Sequence, residues 1–158
     1  MTKTTSTEEF KDPLKQYVPV QYATRLERSL AEEPITAIQT QPFVEVESGV
    51  TVREAIRTLH SLKVSSLLVV DGGKLVGIFT ERDVLERVAE RFEELADHPV
   101  DEVMTENPLV VYETDKAAAG LSAIAVAGYR HVPVLNVEGR PVGIVSPHRV
   151  LAFVKDHL

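Results

Sequence analysis

Two short phrases of the sequence resemble each other but end in side chains of opposite charge. GIFTERDV at 77–84 and GIVSPHRV at 143–150 both run from Gly-Ile through an apolar residue to a hydroxyl residue. Asp83 then stands in the first phrase where Arg149 stands in the second. An ionised carboxylate only accepts hydrogen bonds and can take one from each of two neighbouring hydroxyls, such as those of a ribose. A guanidinium has no acceptor, so Arg149 cannot take such hydrogen bonds in the second copy.

The spacing of Thr80 and Asp83 also fits a second structure. Two such residues three positions apart can form a capping box, which satisfies the free N–H groups at the start of a helix. In both cases the pair lies where a strand enters a helix, and a helix N-terminus offers N–H groups to an anion. The residue pattern alone leaves capping and ribose binding open.

The elements that position this pair occur twice along the chain. In each half an extended apolar segment follows a proline, and an amphipathic helix, a hairpin and a closing helix come next. In the first half the extended segment is 42–46 and the hairpin is 65–79. The apolar face of the first helix consists of Val52, Ala55, Ile56, Leu59 and Leu62, and that of the closing helix consists of Val84, Leu85, Val88, Phe92 and Leu95. In the second half they are 108–112, 117–127, a hairpin at 131–145 and the stripe of Val150, Leu151 and Val154.

These repeats predict an α/β (α+β) fold of two tandem β-α-β-β-α units, at 34–97 and 98–158. One unit of about 60 residues buries too little apolar surface to be stable alone, so we expect the two to pack sheet to sheet about an approximate twofold. Residues 1–33 form an N-terminal extension. We expect it to be loose over MTKTTSTEE and helical from about 19 to 33.

Composition narrows the classes of function. The chain has 158 residues, 44% of them apolar, with a net charge of −7 and no cysteine. The acidic balance argues against nucleic-acid binding, and the absence of cysteine excludes disulfides and thiolate zinc sites. The sequence shows neither a signal peptide nor a bilayer-spanning apolar run, so we expect a cytoplasmic protein without a membrane partner.

The ordered motifs of both halves resemble a known family. The tandem β-α-β-β-α pattern, DEVMTENPLVV at 101–111, RHVPV at 130–134 and GIFTERDV together resemble the CBS domain pair, or Bateman module. The resemblance covers about 34–158. It implies a regulatory module that binds an adenosine derivative such as AMP, ADP, ATP or S-adenosylmethionine, pairs into a flat dimer and has neither catalytic residues nor a catalytic cofactor.

The resemblance also implies positions for the ligand. Thr80 and Asp83 hold the ribose, and backbone groups of the same unit read the base; the base positions are Val50, Ala55, Ser65 and Ser66. Ser65 and Ser66 are equally explained as small residues that allow close packing.

Basic residues of the second unit are candidates for a phosphate contact across the cleft between the units. They are Arg130, His131, His148 and Arg149. A guanidinium fork matches phosphate oxygens, and histidine adds a pH-dependent charge. The alternatives are that Arg149 pairs with Glu106 or Asp156, and that His131 is a packed strand residue.

Three functions follow as hypotheses. The first is a nucleotide sensor that signals through a homodimer or to a separate regulated protein, with the dimer face on the small residues 117–125 and around Ala55 and Leu59. The second is a structural dimerisation module with a vestigial pocket, and the third is an S-adenosylmethionine sensor. An enzyme is not expected, because the sequence has no phosphate-binding glycine loop, HExxH or GxSxG motif.

Overall fold

The computed structural model describes residues 17–158, so the loose segment predicted at 1–9 lies outside the described residues. Two sheets confirm the predicted repeat. The first sheet has the order β1-β2-β3-β4 and the second has the order β5-β6-β7. In each, a parallel pair is followed by an antiparallel hairpin. The strands are β1 (Glu45–Glu47), β2 (Ser66–Asp71), β3 (Lys74–Thr80), β4 (Thr105–Glu106), β5 (Val111–Tyr112), β6 (Val132–Leu135) and β7 (Pro141–Val145).

Helices follow the predicted order. They are α1 (Arg25–Glu32), α2 (Val52–Leu62), α3 (Glu81–Asp83), α4 (Phe92–Leu95), α5 (Ala117–Ala125) and α6 (Pro147–Asp156). The closing helix of the first unit is irregular, because a π-helical stretch (Val84–Val88) and a 3₁₀ turn (Ala89–Arg91) lie between α3 and α4. Helix α1 begins at Arg25 rather than near 19, where Thr24 caps it by accepting a hydrogen bond from the Glu27 N–H.

Each unit encloses its own apolar core, and a third cluster joins the two sheets. Leu68 on β2, Ile78 on β3 and Ile144 on β7 form this cluster, and all three are almost fully buried. The hairpin turns also meet, since the Leu75 N–H donates to the carbonyl of Gly139 at 3.1 Å. The predicted sheet-to-sheet packing is therefore confirmed.

The opening segment of each unit packs into the core of the other unit. We call residues 34–42 the first arm and residues 99–107 the second arm. In the first arm Ile35 and Ile38 are fully buried in the core of the second unit. In the second arm Val100 and Val103 are buried in the core of the first unit. The core of each unit, as divided at 33/34 and 97/98, is therefore completed by the arm of the other.

Two isolated β-bridges show that the arms occupy equivalent positions in the opposite units. Pro34 of the first arm pairs with Lys116 just before α5, and Pro99 of the second arm pairs with Thr51 just before α2. The two arms therefore join the opposite units at the same place. Close packing secures each arm further along, because a Cβ on Gly77 would collide with Met104 and one on Gly143 would collide with Thr40.

The small residues of α5 have a different role from the predicted one. Ala117, Gly120 and Ala123 are buried in their own unit rather than exposed as a dimer face. A Cβ on Gly120 would lie 2.6 Å from Cδ1 of Ile35, so the glycine makes room for the first arm. Ala55 and Leu59 are likewise buried in the first core. These five residues are therefore not available for a dimer contact, and for the half-buried Ala118 and Ala119 and the exposed Ala125 the dimer face stays a prediction.

The apolar stripes of the closing helices are also narrower than predicted. Leu85 and Leu151 are 73% and 65% exposed, although the other stripe residues pack inward or are half-buried. The two leucines occupy equivalent positions of the two units. A three- and four-residue spacing marks one face of a helix, and each leucine lies at the edge of that face.

Helix α1 packs on α5 within the same chain. Its Leu26 and Leu30 contact the second core, and the Ala117 N–H donates to the carbonyl of Glu33 at 2.9 Å. The extension therefore covers α5, whose sequence is apolar on nearly all sides. Among residues 17–158, no helix is long and apolar enough to cross a membrane.

Candidate functional site

Thr80 and Asp83 lie where β3 passes into α3. Asp83 N–H donates to Thr80 Oγ1 at 3.3 Å, and Thr80 N–H donates back to Asp83 Oδ2 at 2.8 Å. Thr80 Oγ1 also donates to the same carboxylate oxygen at 2.7 Å. The pair therefore forms the capping box, one of the two structures that the sequence pattern allowed, and the carboxylate is held at the N-terminus of α3.

The second oxygen of Asp83 faces the second arm. Thr105 Oγ1 on β4 donates to Asp83 Oδ1 at 3.2 Å, and Arg87 Nη1 lies 3.4 Å from the same oxygen. Asp83 is only 5% exposed. A buried carboxylate needs such partners, because burying a charge without them is costly. Thr105 and Arg87 are thus members of the site that the sequence did not indicate.

Arg87 also fastens the second arm to the first unit. Its Nη1 donates to the carbonyl oxygens of Val103 at 3.0 Å and Met104 at 2.7 Å. One guanidinium therefore contacts both the arm and the carboxylate. In the sequence Arg87 follows Asp83 by one helical turn, but no pattern there indicates that it contacts the second arm.

Arg149 fastens the other arm. Its Nη1 donates to the carbonyls of Thr40 at 2.6 Å and Ile144 at 2.8 Å, and its Nη2 donates to the carbonyl of Pro42 at 2.6 Å. Burial lowers the pKa of Arg149, but an arginine stays protonated at neutral pH. The partners of Arg149 are backbone carbonyls of the first arm and β7 rather than Glu106 or Asp156. The structure gives it a structural role that differs from the predicted phosphate contact.

His131 joins the two units near their pseudo-twofold axis. Its Nε2 lies 2.8 Å from Ser65 Oγ, and the two residues are 66 positions apart, the spacing of the repeat itself. Burial lowers the pKa of His131, and the cations of Arg130 and Arg149 lower it further, while Glu81 opposes them. His131 is therefore more than a packed strand residue, since it sits among charges from both units.

The remaining predicted phosphate positions are more open to solvent. Arg130 and His148 are exposed, and Arg130 is close enough to His131 to affect its pKa. His148 occupies the first turn of α6. The structure thus brings Arg130, His131 and Arg149 into one region and leaves His148 at the surface.

The predicted base positions differ in what they offer a ligand. Ser66 is paired with Thr80 in the β2–β3 ladder. The carbonyl of Ser65 accepts the Glu81 N–H at 3.1 Å. Ala55 is fully buried, and its N–H donates to the carbonyl of Thr51 at the start of α2. Ala55 therefore has no free donor for a base and borders the core instead.

Val50 is half-buried at the loop that leads into α2. Its carbonyl accepts the N–H of Val100 at 2.8 Å, so the second arm uses the group that was predicted to face the base. Among the described residues, no group of three or more histidine and acidic side chains is placed to hold a metal ion.

The fold and the site define a class of protein: a pair of interlocked β-α-β-β-α repeats, with a buried carboxylate at one strand–helix junction and a guanidinium at the other. The model of the CBS domain matches residues 35–90 and 100–156. These matches cover more than half of the chain, which belongs to the CBS domain family.

Individual relatives agree with this assignment. The chain is 32% identical over 113 residues to an uncharacterized 17.7 kDa protein of Acidianus ambivalens, a match that covers 71% of this chain and 67% of that protein. It is 32% identical over 111 residues to the CBS domain-containing protein CBSCBSPB5 of Arabidopsis thaliana, but there it spans only 20% of the relative, against 70% of this chain.

A solved structure shows the same fold with ligands. The CBS domain pair of protein MJ0100, in complex with 5′-methylthioadenosine and S-adenosyl-L-methionine, superposes with a TM-score of 0.65 at 25% sequence identity. The match covers 78% of this chain and 96% of that one. The predicted family and fold are therefore confirmed.

Proposed function

We propose that this chain is a non-catalytic regulatory module that binds one adenosine derivative, with the ribose held at Asp83. One observation carries the proposal. Asp83 is a carboxylate at the strand–helix junction of the first unit, whereas Arg149, at the equivalent junction of the second, is committed to three backbone carbonyls. Only the first junction offers a charged acceptor to the hydroxyls of a diol.

The relatives support an adenosine ligand. Both molecules named for MJ0100, 5′-methylthioadenosine and S-adenosyl-L-methionine, carry an adenosine ribose with two neighbouring hydroxyls. A carboxylate that accepts from both hydroxyls makes charge-assisted bonds, which are stronger than neutral ones. The ribose is thus the part of the ligand for which this site is suited.

The charges around His131 favour an adenosine phosphate over a sulfonium. Two cations, Arg130 and Arg149, act on His131 against one anion, Glu81, so the charged side chains beside it carry a net positive charge. An AMP, ADP or ATP phosphate is attracted by such a charge, and the sulfonium of S-adenosylmethionine is repelled. Arg130 and His131 are the phosphate contacts in this proposal.

A second candidate function is a structural module whose pocket is vestigial. It is favoured by the internal contacts of Asp83, whose carboxylate accepts three hydrogen bonds inside the protein and lies beside Arg87. Under this alternative Asp83 serves only as a helix cap and as the anchor of the second arm.

In both cases we propose assembly as a homodimer, with the signal passing through the dimer or to a separate protein. The exposed Leu85 and Leu151 are added to the predicted face, because they give both units an apolar position at the same place. Light scattering at tens of micromolar protein tests the dimer, and a monomer would contradict it.

The ligand proposal is tested by calorimetric titration with AMP, ATP, S-adenosylmethionine and 5′-methylthioadenosine. Removing the charged acceptor in Asp83→Ala costs about 1.5–3 kcal/mol of binding, and Asp83→Asn costs less because the amide oxygen still accepts. The matched control is Asp115→Asn, which removes a carboxylate that accepts from the Tyr112 N–H in the second unit. It should leave affinity unchanged. Equal affinity of folded Asp83→Ala and wild type would leave Asp83 as a helix cap only, whereas no binding of the panel by the wild type would favour the vestigial pocket.

A further inference from the structure

Most acceptor sites of the Asp83 carboxylate are occupied by partners inside the protein. Oδ2 accepts from the N–H and the hydroxyl of Thr80, and Oδ1 accepts from the Thr105 hydroxyl and lies beside Arg87. An ionised carboxylate offers about four lone-pair sites, and three hydrogen bonds occupy all but one of them. With Asp83 only 5% exposed, both hydroxyls of a ribose can bind to it only if an internal partner gives way.

The four internal contacts differ in strength. The two from Thr80 are short, at 2.8 and 2.7 Å, and join residues three positions apart in one capping box. Arg87 is charged and is held independently by the carbonyls of the second arm. The Thr105 contact is neutral on the donor side, is 3.2 Å long and joins residues 22 positions apart. It is therefore the contact that a ribose hydroxyl can replace at the lowest cost.

We propose that Thr105 is a positioning residue of the ligand site, whose hydroxyl occupies Asp83 Oδ1 until a ribose hydroxyl takes its place. Ligand binding thereby releases the end of the second arm. This inference rests on the proposed function and adds to it the route by which occupancy of the first unit reaches the rest of the chain.

The second arm is suited to carry such a change. Its strand β4 has two residues, which pair with Gly77 and Ile78 of β3. Loss of the Thr105 hydroxyl contact leaves β4 held by this short ladder and by Arg87. The same arm continues directly into the second unit, so its ordering affects both units.

The test substitutes Thr105 while preserving its shape. Thr105→Val removes the competing hydroxyl, and because an internal hydrogen bond is worth about 1 kcal/mol net, AMP should bind about two- to tenfold more tightly. Thr105→Ser keeps the hydroxyl and should bind AMP as the wild type does. A residue with only a structural role would weaken or preserve binding when replaced, never strengthen it.

The chain offers a matched control in the other arm. Thr40 occupies the equivalent position of the first arm and lies against Gly143 rather than Asp83. Thr40→Val makes the same chemical change and should leave AMP affinity unchanged. An equal gain in both valine variants would overturn the proposal, because it would show a general effect of the substitution.

Hydrogen exchange of residues 103–107 gives a readout that does not depend on affinity. In the wild type, saturating AMP should increase exchange in this segment, whereas in Thr105→Val exchange should be high already and should not rise further. If wild-type AMP binding is measurable but Thr105→Val binds equally or more weakly, the role of Thr105 is wrong and the proposed function survives. If the wild type binds no member of the ligand panel, both are wrong.

Discussion

In each unit an arginine holds the arm that belongs to the other unit. The two arginines lie one helical turn apart in the closing helices. In the second unit Arg149 contacts the carbonyls of the first arm from the start of α6. In the first unit Arg87, one turn further along its helix, contacts the carbonyls of the second arm. Asp83 occupies the place that Arg149 has in the second unit.

The difference shows why the charge reverses between the repeats. Moving the arginine by one turn leaves the position at the helix start available for a carboxylate. In the second unit the position equivalent to Arg87 is held by Phe153, which is buried in the core. The residue at the start of the closing helix thus contacts the carbonyls of an arm in the second unit, and in the proposed function it holds a ribose in the first.

Removal of Arg149 should have the largest effect. Arg149→Ala leaves the carbonyls of Thr40 and Ile144 without a charged donor in a part-buried site, so we expect the free energy of unfolding to fall by about 2–4 kcal/mol. Urea denaturation measures this loss. Arg149→Asp should be worse, because it places a carboxylate beside carbonyl oxygens.

Arg87→Ala sharpens the comparison. The Arg87 side chain is 46% exposed, so water can replace part of what it donates, and a loss of about 1 kcal/mol is expected. A smaller loss for Arg149→Ala than for Arg87→Ala would contradict the roles assigned to the two arginines.

A smaller effect on stability is predicted where the first arm packs against α5. Gly120→Ala should raise helix propensity by about 1 kcal/mol, but its Cβ would lie 2.6 Å from Cδ1 of the fully buried Ile35. Overpacking costs about 1–3 kcal/mol, so we expect net destabilisation, measured by urea denaturation.

The first unit suggests the compensating change. There Ala55 stands where Gly120 stands in the second unit, and Val100 of the inserted arm stands where Ile35 does. Ile35→Val removes the clashing methyl, so Gly120→Ala should become neutral or stabilising in that background. Additivity of the two changes would show that the arm and the glycine are not coupled.

The smallest predicted effect is the pH dependence at His131. Its pKa is lowered in the folded protein by burial and by nearby cations. As pH falls below the ordinary histidine value of about 6.5, the unfolded chain is protonated first, so stability declines. His131→Asn should remove part of this decline between about pH 7 and 5. An unchanged pH profile of urea denaturation would show that His131 does not contribute.

Much of the fold could be predicted from the sequence because local patterns determine it. The hairpin at 65–79 has an Asp-Gly turn, and α2 begins and ends as its stripe indicates. Exchange of the arms could not be predicted, since Ile35 and Val100 are apolar residues that fit either core. Periodicity shows that a residue is buried but not which unit encloses it.

The residues of the candidate site could likewise be predicted only in part from the sequence. Thr80 and Asp83 stand out because their spacing is typical of a strand–helix junction. Thr105 and Arg87 reach Asp83 only through the packing of the second arm, and the carbonyls that Arg149 contacts are backbone groups that no side-chain pattern indicates. Contacts between distant segments therefore account for what the sequence did not reveal.

The central proposal is that the start of the closing helix binds a ligand through Asp83 in the first unit and holds an arm through Arg149 in the second. Calorimetric titration of the wild type with AMP tests it most directly. The account predicts about one molecule of AMP per chain, with binding weakened in Asp83→Ala. Two equivalent sites per chain, or a single site that survives Asp83→Ala at full affinity, would contradict it.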